Sequence, residues 1–286
     1  MIAEALGADV CYFNVDPVPF NLQFLPKADA IRSDLPLDWL PDVTVVVDCA
    51  QRSRVGEKFP AVGWGECVIC FDHHKTFDAD VADILVRDIE AAATAELVYE
   101  LALTCGVEIT KELAKPLYCA LLTDTGSFRY GKTRPATMER GAALLRAGVD
   151  AWEVASQIYE SEPIERMRLM SEVLNTLDIA AGGKLATIVI TDEMFERTGA
   201  NPDMTDGLVN LARSVRGVEV AAQLVQQTDG TFRIGMRSRG NIDVASVAEH
   251  FGGGGHKNAA GFASALELED LKSSLGAALL SVIEAA

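Results

Sequence analysis

The order of apolar and polar positions divides the chain into alternating strands and helices, followed by a region where strands succeed one another. Ala8 to Asn14 reads as a short strand, broken by Asp16-Pro17-Val18-Pro19. Asp42-Val43-Thr44-Val45-Val46-Val47-Asp48 is a continuous β-branched run, which predicts a strand covered on both faces, as parallel sheets require. Glu66 to Phe71 is a second such run, and Asp83 to Val86 a shorter one. Helical spacing then covers Ala91 to Cys105, Lys111 to Leu122 and Pro135 to Ala147. The last has a proline near its start and Gly148 just past its end, the expected asymmetry of a helix. Glu153 to Ile179 reads as further helix, interrupted at Ser161-Glu162-Pro163.

The pattern changes at Ala181-Gly182-Gly183. A strand over Lys184 to Thr191 leads to helices at Asp192 to Arg197 and Thr205 to Ser214. Strands Val218 to Gln226 and Thr231 to Ser238 flank Thr228-Asp229-Gly230, a hairpin signal. A helix from Asp243 to His250, a strand from Ala259 to Phe262 and a closing helix from Leu266 to Ala285 complete the chain. The expected fold is α/β: an N-terminal domain over 1–160 with a mostly parallel sheet, a helical connector over 161–182, and a smaller mixed α+β domain over 183–286 across a cleft.

At 286 residues the chain has room for two cores, and 49% hydrophobic with 23% charged residues is a globular composition. No apolar run reaches the roughly 18 residues of a membrane span. Met1-Ile2-Ala3-Glu4 lacks a basic segment followed by an apolar one, so the expectation is a cytoplasmic protein with no membrane partner. The net charge is −17; up to Gly182 there are 16 Lys and Arg against 29 Asp and Glu, and beyond it 9 against 13. Such a chain does not coat long duplex nucleic acid, but focused arginines or a metal can still hold a short phosphate-bearing substrate. Cys67 and Cys70 have a C-x-x-C spacing, but within a strand that offset points the thiols to opposite faces, which favours a core role over zinc or redox chemistry.

The chemistry gathers at strand ends. Val68-Ile69-Cys70-Phe71 runs directly into Asp72-His73-His74, and two of the chain's four histidines stand there side by side. Carboxylate and imidazole are costly to bury unpaired and are good ligands for a divalent cation. Asp48 ends the preceding strand, and ligands of parallel sheets collect at such ends. Asp48 taken alone reads evenly as functional or structural, whereas Asp124, in Leu122-Thr123-Asp124-Thr125-Gly126-Ser127, stands where a helix runs out and taken alone reads rather as a turn former. Far downstream lies Phe251-Gly252-Gly253-Gly254-Gly255-His256-Lys257, either a flexible loop or an anion nest of backbone N–H groups.

Taken together, Val47-Asp48, Phe71-Asp72-His73-His74 and Leu122-Thr123-Asp124-Thr125-Gly126 resemble the DHH phosphoesterase superfamily, and Gly253 to Phe262 resembles the signature of its DHH-associated C-terminal domain. The pair resembles the stand-alone bacterial oligoribonucleases that also dephosphorylate 3′-phosphoadenosine 5′-phosphate. The resemblance implies two divalent cations, manganese or else magnesium, with Asp48 bridging them and His73 and Asp124 as ligands. It implies that Asp72 orients a histidine and that His74 meets the phosphate or the leaving group. It places Arg129, Arg237, Ser238, Gly253, Gly254, Gly255 and His256 at the substrate. Expected substrates are short RNA oligonucleotides, attacked as by a 3′–5′ exonuclease, or phosphorylated nucleotides. The alternatives are a cyclic or linear dinucleotide phosphodiesterase, a non-catalytic nucleotide-binding relative and, less favoured, an inorganic pyrophosphatase. A homodimer is compatible with all of these.

The resemblance has one gap. Members of the superfamily begin with a strand bearing a His and an Asp-x-Asp, and no such motif precedes Asp48 here. A start read too late, a trimmed chain and a metal-poor inactive relative each account for it, and the first is favoured because Asp48, His73, His74 and Asp124 are all present. The corresponding expectation is weak or absent two-metal activity for the 286-residue form.

Overall fold

The computed structural model describes residues 1–35, 40–49, 51, 55–56, 63–74, 77–78 and 80–285. They form two compact units, Met1–Ser161 and Glu162–Ala286. Among the described residues no helix is long and apolar enough to cross a membrane.

The first unit opens with α1 (Ile2–Ala5), β1 (Tyr12–Phe13) and β2 (Ile31–Arg32), the two strands pairing in parallel. The strand read over Ala8 to Asn14 is thus only two residues long. A three-stranded parallel sheet follows, built from β3 (Val43–Val47), β4 (Cys67–Asp72) and β5 (Ile84–Arg87) in that order. Helices α2 (Thr94–Thr104), α3 (Lys111–Asp124), α4 (Pro135–Arg146) and α5 (Ala151–Tyr159) come next. Thr110 caps α3 by accepting from the Leu113 N–H, and Asp150 caps α5 through Trp152 and Glu153. Leu113, Leu117, Leu121 and Leu144 carry the core between these helices. The buried Glu96 carboxylate ties α2 to α4, accepting from the Thr137 hydroxyl at 2.5 Å and facing Arg140 at 3.5 Å.

One sequence expectation changes at β3. Its alternating pattern leaves Val43, Val45 and Val47 about half exposed, while Thr44 and Val46 are buried. β3 is an edge strand, and its covered face packs on the small core of Val46, Val68, Cys70 and Val81.

The second unit contains α6 (Ile164–Leu174), β6 (Asp178–Ala180), β7 (Leu185–Ile190), α7 (Asp192–Thr198), α8 (Leu208–Ser214), β8 (Val220–Gln226), β9 (Phe232–Ser238), α9 (Val244–His250), β10 (Gly254–His256), β11 (Ala259–Ser264) and α10 (Leu268–Glu284). Two expectations change here. Asp178–Ala180, read as the end of a helix, is an edge strand antiparallel to β7. Gly254–His256, read as a loop, is a strand antiparallel to β11. The sheet order is β10-β11-β9-β8-β7-β6, with only β7 and β8 parallel. On one face Val220, Leu224, Ile234, Met236 and Phe262 pack against α9 and α10. On the other, Ala186, Ile188, Ile190 and Ala221 meet Leu169 and Val173 of α6 and Leu208 and Ala212 of α8. Helix α6 therefore builds the second core.

In α10, Leu271, Leu275, Leu279 and Ile283 recur every four residues and form the buried stripe of that helix. Leu275→Ala is expected to cost about 2–5 kcal/mol by the loss of buried methyl groups and the cavity left behind. Leu280→Ala, at a side chain 39% exposed, should change stability by less than about 0.5 kcal/mol. Urea unfolding of the two variants checks the contrast.

Candidate metal and phosphate sites

In the first unit, the end of β4 and the start of α2 bring the predicted residues together. His73 directs its Nδ1 at the Ala91 carbonyl, 3.2 Å away. A carbonyl only accepts, so Nδ1 donates to it and Nε2 is the ring nitrogen turned toward the carboxylates. That Nε2 lies 3.6 Å from Asp48 Oδ1 and 3.9 Å from Asp124 Oδ2. These separations are too long for hydrogen bonds. Two carboxylates thus approach one imidazole nitrogen. Among the described residues, Asp48, His73 and His74 each offer a ligand atom, all within 4.8 Å of one another.

Local structure explains each position. Asp48 leaves β3 with φ at 58°, a left-handed conformation that aspartate tolerates better than most residues. Its Oδ1 accepts from the Thr94 hydroxyl at 2.6 Å, at the first residue of α2, where the helix dipole favours negative charge. Asp124 closes α3, where burial and the neighbouring Asp48 push its carboxyl above the usual range, while His73 and His74 pull the other way. Asp72 is fully buried, and its Oδ1 accepts from the backbone N–H of His74 at 2.5 Å and from its Nδ1 at 2.7 Å. His74 is therefore the histidine whose proton and orientation Asp72 fixes. Asp72 Oδ2 is buried without a hydrogen-bond partner among the described residues. Such an orphan costs about 1–3 kcal/mol.

The turn after Asp124 is strained. Gly126, Ser127 and Phe128 take φ of 55°, 63° and 61° in succession. A side chain at Gly126 would collide with the Tyr130 ring. The turn exposes Arg129, whose Nε donates to the Gly126 carbonyl at 2.5 Å. Sequence reasoning missed Thr94, whose one signal was a hydroxyl inside the run Ala91-Ala92-Ala93-Thr94-Ala95. The Ala91 carbonyl could not have been found, because a backbone group leaves no trace in composition.

In the second unit, Arg237, Gly254 and His256 line a trough of about 860 Å³ on the bare half of the sheet. The other predicted residues have different places. Ser238 is buried, and its hydroxyl donates to the Ile242 carbonyl at 2.7 Å and accepts from Asn258 at 2.8 Å, so it fixes the turn after β9. Gly253 and Gly255 are needed for packing: a Cβ on Gly253 would stand 2.3 Å from the Gly261 carbonyl oxygen, and one on Gly255 2.5 Å from the Ala260 Cα.

A cluster of carboxylates and histidines at strand ends of a parallel α/β unit, followed by a glycine- and histidine-bearing unit, defines a phosphoesterase of two-domain architecture. The chain belongs to the DHH family: residues 3–121 match its N-terminal domain and residues 182–284 match the DHHA1 domain. It is a hydrolase of that phosphoesterase class. It is 37% identical to the bifunctional oligoribonuclease and PAP phosphatase NrnA of Thermus thermophilus over 90% of this chain and 75% of the relative. It is 25% identical to NrnA of Bacillus subtilis, over 84% of this chain and 75% of that one. The solved structure of an exopolyphosphatase-related protein from Bacteroides fragilis superposes with a TM-score of 0.90 at 26% identity, covering 98% of this chain and 85% of that one.

The C-x-x-C pair does not enter the site. Cys67 and Cys70 are both free thiols, and Cys70 is buried in the sheet core. Burial, aided by the nearby Asp72, Cys49 and Asp48, pushes the Cys70 thiol up to about 11, and burial alone does the same to Cys119. A raised thiol supplies little thiolate near neutral pH. At pH 8, maleimide should modify the exposed Cys105 rapidly, whereas Cys70 and Cys119 should react only on unfolding. Mass mapping of the labelled peptides checks the order.

Proposed function

We propose that this protein is a divalent-cation-dependent phosphoesterase that hydrolyses short oligoribonucleotides from the 3′ end and 3′-phosphoadenosine 5′-phosphate. The observation that carries the reading is the approach of the Asp48 and Asp124 carboxylates to the His73 Nε2, at 3.6 and 3.9 Å. Carboxylates and imidazole gathered in this way would suit a divalent cation. Oxygen-rich ligation with one imidazole favours manganese or magnesium over zinc. The orphaned Asp72 Oδ2 adds buried negative charge beside the cluster. Asp48, His73 and Asp124 would hold the ions, which when bound would lower the pKa of water and neutralise phosphoryl charge.

The remaining roles belong to the chain itself. Asp72 holds the His74 proton on Nδ1 and so leaves Nε2 to meet a phosphate or leaving oxygen. Thr94 positions the Asp48 carboxylate. Arg129, at the exposed end of the strained turn, supplies a cation for a phosphate. Arg237, Gly254 and His256 supply the phosphate contacts of the second unit, where a guanidinium can take two phosphate oxygens at once. NrnA relatives, named for oligoribonuclease and PAP phosphatase activities, support this substrate class.

The test is release of mononucleotides from a short RNA, and of phosphate from 3′-phosphoadenosine 5′-phosphate, with manganese and after chelation. Turnover should require the ion and fall by roughly 100-fold or more in Asp48→Asn, His73→Ala and Asp124→Asn. Thr94→Val should lower manganese affinity by about 10–100-fold, as loss of a ligand-orienting partner does. Calorimetric titration of manganese measures that directly. Tight nucleotide binding with no ion-dependent turnover would instead make the protein a binding module.

A further inference from the structure

The trough of the second unit has a regular floor. Residues paired across the sheet share a face, so the registers arrange it in rows. One row is His256, Ala259, Arg237 and Ala221. The next is Gly254, Gly261, Gly235 and Gln223. The third is Ala263, Arg233 and Val225. Glycines occupy three adjacent strands of the middle row; the Gln223 side chain lies over Gly235, and the Gly254–Gly261 part stays open, between one row bearing Arg237 and His256 and another bearing Arg233. Gly261 must be glycine, since a Cβ there would stand 2.5 Å from the Ile234 carbonyl oxygen, but a Cβ on Gly254 would meet nothing within 4 Å. Packing therefore does not account for glycine at 254; an open floor does.

Arg233 is exposed, and among the described residues neither its guanidinium nor that of Arg237 lies within 4.0 Å of a carboxylate, in a chain of net charge −17. Asp203 and Asp206 line the same trough. Four residues of extended strand set the two arginine Cα atoms about 13–14 Å apart. The volume of about 860 Å³ lies at the upper end of small-molecule sites.

From this geometry we propose that Arg233 holds a second phosphate, so that the trough takes a single-stranded oligonucleotide of two or more nucleotides across its glycine row and thereby favours oligonucleotides over a mononucleotide. This rests on the reading of Arg237 and His256 as phosphate contacts. The ligand is a nucleic-acid strand rather than an acidic peptide because the cations and the acids of the trough are both used. Arg233 and Arg237 take phosphates, while Asp203 and Asp206 accept hydrogen bonds from ribose hydroxyls or base amino groups. The open Gly254–Gly261 part of the row lets a flat base or ribose lie against the sheet, beside the Gln223 amide that covers Gly235.

The experiment is fluorescence anisotropy of a 5′-labelled RNA trinucleotide on the full chain in chelator, across a salt series, with hydrolysis assayed separately in manganese. Loss of one phosphate contact lowers the slope of log affinity against log salt by about 0.7 for a single strand. Arg233→Ala should show that loss and Arg233→Lys should retain the slope. In manganese, the ratio of kcat/KM for the trinucleotide to that for 3′-phosphoadenosine 5′-phosphate should fall about tenfold in Arg233→Ala, mainly through KM. Gly254→Leu fills the middle row without a clash of its Cβ and should weaken trinucleotide binding about tenfold. A wild-type slope and ratio in Arg233→Ala, or no trinucleotide binding by the wild type, overturns the inference. Trinucleotide binding that depends on Arg233, without hydrolysis in manganese, sinks the phosphoesterase reading of the first unit and leaves this one standing.

Discussion

Asp48 and Asp124 both bring a carboxylate up to the Nε2 of His73, and the backbone sets the angle of the ring between them. The Ala91 carbonyl accepts from Nδ1 of His73 and so turns Nε2 toward the two acids. Much of the first unit follows from holding that arrangement in place. Asp48 turns out of β3 in a left-handed conformation, and Thr94 anchors its carboxylate at the head of α2. The buried Asp72 locks the second histidine from behind. Carboxylates gathered around one imidazole favour positive charge among them.

The second unit solves the opposite problem, keeping positive charge available in a strongly acidic chain. Some arginines elsewhere are neutralised locally: Arg197 by Glu172 and Glu193, Arg140 by Glu96 and Glu100. Along β9, Arg233 and Arg237 alternate with Phe232, Ile234 and Met236, so the strand sends its apolar side chains into the core and its cations onto the open face. Helices α6 and α8 pack over β7 and β8, and the glycine row begins beyond them. The same pleat thus produces both the core of this unit and its open, cation-bearing face.

Residues chosen for chemistry sort by how far each role depends on distant neighbours. The Asp72-His73-His74 triplet was legible because polar groups ending an apolar strand are costly without a purpose. Asp124 alone resembled a turn former, and only its 3.9 Å approach to His73 distinguishes it. The glycine run was legible as a special segment but not in kind: it is a strand whose glycines at 253 and 255 admit the close approach of β11. Ser238 looked available beside Arg237, yet its hydroxyl is consumed by Ile242 and Asn258. Asp42 to Asp48 looked doubly buried because β-branched runs usually are, whereas β3 lies at an edge.

By itself the sequence determined the alternation of strands and helices, the division into two α/β parts, and the two segments where the chemistry collects. Those follow from local periodicity, turn residues and the cost of burying charge, which act over a few positions and are written in the chain. Tertiary structure alone decided which acids approach His73, which glycines serve packing and which an open floor, that Arg233 lines the same trough as Arg237, and that Thr94 anchors Asp48. These depend on strand register and on backbone carbonyls brought from elsewhere in the chain, and neither leaves a mark on the identity of the residue it governs.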